Sequence, residues 1–229
     1  MRNRLLLRIA GIVLFLAIVG LGGYLLLSPD PFAALRRPEV PAVEVPDWVD
    51  VQLIPVDGAS RRGEKLDAVN DIVIHYVGNP GTSAKNNRSY FANPDSEVSA
   101  HFVVGLEGEV ILCVPLDEKS SASNWRNRDT ISIEVCHPDE TGAFTDAAYD
   151  ALVRLTAWLC DEYGLTARHV IRHYDITGKL CPLYYVEHES FGYDVQLVWR
   201  TVVTILQVLL KKKNFLPQPE LLVIEGSRL

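Results

Sequence analysis

The stretch Arg172-His173-Tyr174-Asp175-Ile176-Thr177-Gly178-Lys179-Leu180-Cys181-Pro182 places a histidine, a lysine and a cysteine within a few residues, around a glycine and ahead of a proline. Imidazole and thiolate are ligands that zinc prefers. His173 and Cys181 are eight positions apart, too far for one helical turn but suited to a loop that folds back on itself. A catalytic zinc site holds three protein ligands and keeps one position open for water. The third ligand expected here is His75, at the end of the run Asp71-Ile72-Val73-Ile74-His75. Convergence of the three would make a zinc hydrolase.

Zinc with an open position lowers the pKa of water and polarises a carbonyl. Attack on an amide also needs a base for the water's proton and a donor or cation for the oxyanion. Glu134 lies on the polar face of a strand-like run and is the candidate base. Lys179, between two of the ligands, is the candidate for the developing negative charge.

These residues must be positioned by an α/β arrangement. Asp71–Val77 is β-branched and alternating, which predicts a strand. Ser99–Gly105 and Glu109–Pro115 predict a hairpin turning at Leu106-Glu107-Gly108. In Thr130–Cys136 the apolar Ile131, Ile133 and Val135 alternate with Ser132, Glu134 and Cys136, so the carboxylate faces away from the apolar stripe. Thr145 is the expected N-cap of a helix with a ridge of Ala148, Leu152, Leu155 and Leu159, stopped by Gly164. His169–Ile171 predicts a short strand leading to His173. Asp194–Leu210 predicts a last amphipathic helix, running into Lys211-Lys212-Lys213, with a loose tail over 214–229.

The N-terminus bears on location. Arg2, Arg4 and Arg8 precede an uncharged apolar run from Ile9 to Leu27. At about 1.5 Å per residue this run spans roughly 28 Å, close to the hydrocarbon core of a bilayer. A cleaved signal peptide has a shorter apolar region and a small-residue cleavage site, so an uncleaved single-pass anchor is expected. The remainder of the chain would then lie on the extracytoplasmic, cell-wall side of the cell membrane. The expected organisation is a cytoplasmic stub and transmembrane anchor over 1–28, a Pro-rich spacer over 29–48, a catalytic domain over 49–213 and a tail over 214–229. The net charge of −7, with no basic stripe, excludes a nucleic-acid partner of the usual kind. The four cysteines read as buried thiols rather than a disulfide framework, with Cys113–Cys136 the one pair that adjacent strands could join.

Four segments in order carry a family resemblance: Ile72-Val73-Ile74-His75-Tyr76, Val98-Ser99-Ala100-His101-Phe102, Ile133-Glu134-Val135-Cys136 and the motif from Arg172 to Pro182. Residues 71–187 resemble the zinc-dependent N-acetylmuramoyl-L-alanine amidases of the type-2 class, relatives of peptidoglycan recognition proteins. The resemblance implies a mixed central β-sheet flanked by helices, with a groove for a glycan–peptide strand. It implies Zn2+ held by His75, His173 and Cys181, Glu134 as base and Lys179 stabilising the transition state. The scissile bond would join the lactyl group of N-acetylmuramic acid to L-alanine, and the partner would be peptidoglycan. His101 is expected to be structural or at most a substrate contact, and Asp175 a turn-forming side chain. The chain departs from the family at Lys119-Ser120-Ser121-Ala122-Ser123, where a tryptophan–histidine–alanine–glycine-like patch is frequent, and at Ser132, where glycine is common. Trp125 and Asn127 are candidates for the groove wall there.

Three other readings compete. A peptidoglycan-binding module that does not cut is the first, although recognition proteins of that kind lack the cysteine ligand retained here. A structural zinc would need a fourth protein ligand. A thiol protease built on Cys181 and His173 would leave His75 and Lys179 without a role.

Overall fold

A computed structural model describes residues 2–27, 39–56 and 58–188. The described residues fall into two compact units, one within 1–38 and one within 39–229. In the first, α1 runs over Arg2–Leu27, and its apolar side chains between residues 10 and 21 are exposed. Among the described residues, no helix is long and apolar enough to cross a membrane; side chains of α1 are described only at 10–21 and 23. The described residues therefore do not support the span expected over Ile9–Leu27. The expected helix Asp194–Leu210 and the tail after it lie outside the described residues.

The second unit is built on one six-stranded sheet in the order β1-β4-β3-β5-β2-β6. The strands are β1 (Val49–Val51), β2 (Asp71–Tyr76), β3 (Phe102–Val104), β4 (Val110–Leu112), β5 (Thr130–Val135) and β6 (Val170–Arg172). Only β3 and β4 pair antiparallel; the other neighbours are parallel. The sheet is therefore mixed, as the resemblance implied. The β3–β4 hairpin turns where expected, with Gly105 N–H donating to Glu109 O at 2.8 Å. Gly108 sits at φ +83°, and a Cβ there would meet Ala147 O at 2.8 Å, so both conformation and space call for glycine.

A parallel sheet is covered on both faces, and here the two faces carry different chemistry. On one face Ile72, Ile74, Ile131, Ile133 and Val135 pack under α3 (Asp146–Tyr163) through Ala148, Leu152, Leu155 and Leu159. Thr145 caps this helix: its Oγ1 accepts from Ala148 N–H at 3.1 Å and its hydroxyl donates to Leu106 O at 2.6 Å. Gly164 ends it at φ +64°. On the other face Ala84 and Phe91 of α2 (Ala84–Phe91) pack on Val103, Ile111, Cys113 and Cys136. Two short helices, α4 (His173–Thr177) and α5 (Leu183–Glu187), complete the described part.

All four cysteines are free and buried, so Cys113 and Cys136 share a core without a bridge. In the stretch expected as a spacer, Val40, Val43, Val45 and Trp48 pack against the main core. Trp48 meets Trp158 edge-on and lies under the Arg154 guanidinium at 4.2 Å. The apolar spacing Val40, Val43, Val45 gives these residues something to bury that a solvated linker lacks. Leu155 is completely buried between α3 and the sheet. Leu155→Ala is expected to lower the unfolding free energy by about 2–5 kcal/mol, measured by urea denaturation of the full chain.

Candidate active site

The parallel register gathers the chemistry at the C-terminal ends of three adjacent strands. His75 on β2 is the direct Cα partner of Glu134 on β5. On the other side of β2, Ile74 is paired with Arg172, the last residue of β6, and His173 follows at the start of α4. Because Ile72 and Ile74 face the α3 core, alternation turns His75 to the opposite face. The same rule separates Glu134 from Ile133 and Val135. Crevices outside the carboxyl ends of parallel strands are where open α/β sheets place their sites.

The loop from His173 to Cys181 folds back as its sequence suggests. Gly178 ends α4 at φ +75°, and Tyr174 N–H donates to Cys181 O at 3.0 Å. Asp175 accepts from Arg172 N–H at 2.8 Å and pairs with the Arg172 guanidinium at 2.9 Å. It thus holds the turn, as expected, rather than orienting a histidine.

His75, His173 and Cys181 converge, with ligand atoms all within 4.8 Å of one another. His75 Nδ1 lies 3.8 Å from Cys181 Sγ, and the two imidazole centroids are 4.6 Å apart. Each ring is held from behind at Nε2: His75 by Ser123 Oγ at 3.2 Å, His173 by Asn124 Oδ1 at 3.0 Å. An amide oxygen only accepts, so His173 carries its proton on Nε2 and presents a lone pair on Nδ1. That Nδ1 is buried and has no hydrogen-bond partner. With Nε2–H of His75 donating to Ser123, its Nδ1 lone pair also faces Cys181. A buried acceptor without a partner is costly, and two imidazole nitrogens beside a sulfur are a donor set suited to zinc. The residues fit the metal.

The electrostatics agree with this fit. Burial holds the His75 pKa well below its ordinary 6.5, assisted by His173 and the Lys179 ammonium. Burial and Lys179 also lower His173. Both rings are therefore neutral at pH 7, the form that ligates. The Cys181 thiol is pushed up to about 12, by burial first and then by Glu134, so it stays protonated at neutral pH unless a bound cation stabilises the thiolate. Glu134 is pushed up to about 8 by burial, against the pull of Lys179. Its Oε2 is shut off from solvent and has no partner.

Lys179 is solvent-exposed and lines an open cleft of about 770 Å3 together with His173, Asn124, Asn127 and Glu97. His101 is structural: its Nδ1 accepts from Ser132 N–H at 3.0 Å and its Nε2 pairs with Glu118 O at 2.8 Å. Ser132, where glycine is common in the family, joins that network through Ser120 Oγ at 2.7 Å. His137 and His169 make local backbone or turn contacts.

Ser123 and Asn124 are the functional positions that sequence reading missed as individual residues. Ser123 ends the short serine-rich segment Lys119–Ser123 and Asn124 follows it, and only their proximity to Trp125 and Asn127 hinted at a wall. Asn127 does belong to the cleft wall, and its Oδ1 also accepts from Ala122 N–H at 3.1 Å and Ser123 N–H at 2.5 Å. Groups that orient metal ligands from behind are worth about 10–100-fold in affinity. Asn124→Ala is expected to weaken zinc binding by about that factor while leaving the far-ultraviolet circular dichroism unchanged, as read by competition with a chromogenic chelator.

The sequence profile of the N-acetylmuramoyl-L-alanine amidase family matches residues 65–183. The chain is 33% identical over 158 residues to the N-acetylmuramoyl-L-alanine amidase BlyA of Bacillus subtilis (strain 168), a match covering 60% of this chain and 42% of BlyA. It is 32% identical over 154 residues to the amidase CwlL of Bacillus licheniformis, again covering 60% and 42%. The match thus spans less than half the length of these curated relatives. Among solved structures, a mutant endolysin from Bacillus subtilis superposes with a TM-score of 0.56 at 26% identity, over 61% of this chain and 92% of that one. The catalytic domain of XlyA shares the fold, with a TM-score of 0.57 at 24% identity, over 69% and 98%. With the matched residues spanning the strands and loops that carry His75, Glu134, His173 and Cys181, the chain belongs to the N-acetylmuramoyl-L-alanine amidase family, in its type-2 class.

Proposed function

We infer that this protein is a peptidoglycan hydrolase that cleaves the amide between the lactyl group of N-acetylmuramic acid and L-alanine. The observation that carries the reading is the convergence of His75, His173 and Cys181 beside the partnerless carboxyl of Glu134. Family membership and the names of the relatives support the same reaction. His75, His173 and Cys181 would hold Zn2+. When bound, zinc supplies Lewis acidity toward water and the scissile carbonyl.

The chain's own groups would do the rest. Glu134 takes the proton of the attacking water and passes it to the leaving nitrogen of L-alanine, which needs a group whose pKa lies near neutrality. Burial brings Glu134 into that range. The Lys179 ammonium, at the cleft that contains His173, faces the negative charge that develops on the carbonyl oxygen. Ser123 and Asn124 keep the two rings oriented. The non-cutting reading is less well supported, since Cys181 is retained and buried within the ligand cluster.

The single-pass anchor and the extracytoplasmic placement belong to the same proposal and rest on sequence alone. Arg2, Arg4 and Arg8 ahead of an uncharged run to Leu27 would keep that end in the cytoplasm. The substrate lies on the opposite side of that membrane.

Digestion of purified peptidoglycan by the zinc-loaded chain should release stem peptides beginning with L-alanine and leave glycan strands intact, as seen by mass spectrometry. Glu134→Gln should lower the rate by about 10²–10⁴-fold with zinc content unchanged. Retention of peptidoglycan without any peptide release, zinc being bound, would overturn the hydrolase in favour of the binding module.

Glu134 also makes stability pH-dependent in the chelated chain. The folded chain holds its proton up to about 8, whereas the unfolded carboxyl releases it near the ordinary 4.5. Between those values the folded state binds more protons, so this group's contribution to stability falls as pH rises and levels off above about 8. His75 and His173, lowered by burial, act oppositely below their ordinary 6.5. The difference between wild type and Glu134→Gln isolates the carboxyl: urea midpoints measured in chelator should diverge in favour of the variant as pH climbs through this window.

A further inference from the structure

A second concavity of about 280 Å3 opens beside the catalytic cleft. The two share the walls Ser121, Asn124 and Asn127, so Asn124, which holds the His173 ring, faces both. Around the rest of the second pocket stand Arg62, Glu64, Lys119, Ser120, Arg128 and Trp125, the last 64% exposed.

The charges here are unusual for this molecule. Neighbouring cations are neutralised: Arg61 by Glu118 at 2.8 Å, Lys65 by Asp117 at 2.6 Å, Arg126 by Asp71 and Asp129, and Lys119 by Glu64 at 3.1 Å. Arg62 and Arg128 have no ion-pair partner among the described residues. A chain of net charge −7 thus leaves two guanidinium groups unpaired at one small pocket. Guanidinium is the side chain best matched to a planar carboxylate, which it binds through two parallel hydrogen bonds. The pocket's volume suits one residue-sized group, and Trp125 offers an apolar face beside it.

Arg62 and Glu64 precede the family-matched residues 65–183, whereas Lys119 and Arg128 lie within them. The pocket is therefore built in part from residues outside the family match. In the proposed substrate the muramic lactyl carboxyl is consumed in the scissile amide, whereas the peptide still carries carboxylates. We propose that Arg62 and Arg128 form a specificity subsite for a carboxylate on the peptide side of the scissile amide, with Trp125 packing against the residue that bears it. This rests on the amidase reading for the identity of the polymer.

The test uses the full zinc-loaded chain bearing Glu134→Gln, so that binding is measured without turnover. Calorimetry compares N-acetylmuramoyl di- and tripeptides as free acids and as amides. At least one free acid should bind about tenfold more tightly than its amide. Arg62→Met/Arg128→Met should level the two, and Arg62→Lys/Arg128→Lys should restore part of the preference. Equal affinity for acid and amide at both lengths overturns the proposal, as does a preference that survives the double methionine variant with its thermal unfolding unchanged. Displacement of the free acid by soluble poly(glycerol phosphate) at equal charge concentration would overturn the carboxylate assignment in favour of a phosphodiester. Cleavage by the wild-type chain is scored separately. Release of peptides from acid and amide alike, with no binding preference, overturns this inference alone. An arginine-dependent preference with no peptide release supports the subsite and overturns the amidase reading alone.

Discussion

The parallel registration of β2 between β5 and β6 is the constraint on which the site depends. It sets His75 opposite Glu134 and brings the end of β6, and with it His173, alongside the same strand. Side-chain alternation then decides everything about facing. A slip of one residue in β2 would turn His75 into the α3 core and Ile74 into the site. The apolar residues that pin the register, Ile72, Ile74, Ile131 and Ile133, are all buried on the face away from the chemistry. The hydrophobic core is thus what enforces the geometry of a polar site it does not touch.

Burial does a second job. It strips solvent from His75, Cys181 and Glu134, and each responds by favouring its neutral form. The result is a cluster of uncharged donors and a protonated acid, with Lys179 as the nearby cation. Such a pocket costs folding free energy by itself, most visibly at the partnerless His173 Nδ1 and Glu134 Oε2. A divalent cation would relieve both costs, giving the nitrogen a partner and favouring the carboxylate. Stability surrendered by the fold is here arranged where a metal would recover it.

The segment from Ser120 to Asn127 connects these levels. It supplies Ser123 behind one ring and Asn124 behind the other, and its own Asn127 braces the loop. Ser120 and Ser132 tie it to the buried His101 network beneath the sheet. Its outer side forms one wall of the basic pocket. This loop therefore shapes the approach to the site and holds the two imidazole rings from behind.

Much of this was legible in the residues themselves. Alternation in Thr130–Val135 and Asp71–Tyr76, the Thr145 cap and the Gly164 stop are local signals, and local signals are written in neighbouring residues. The convergent His75, His173 and Cys181 could be singled out as candidate ligands because zinc chemistry restricts residue type and the motif restricts spacing. The packing of Val40, Val43 and Val45 was not legible, since a proline-rich stretch reads as spacer until a core exists to receive it. Nor were the roles of Ser123 and Asn124, because a small polar residue in a loop has no pattern of its own. Sequence by itself determined which side chains could bind a metal and which strands could carry them. Only the tertiary structure decided which imidazole nitrogen faces inward, which carboxyl loses its solvent and which arginines stay unpaired, because those depend on neighbours that the chain brings together from far apart.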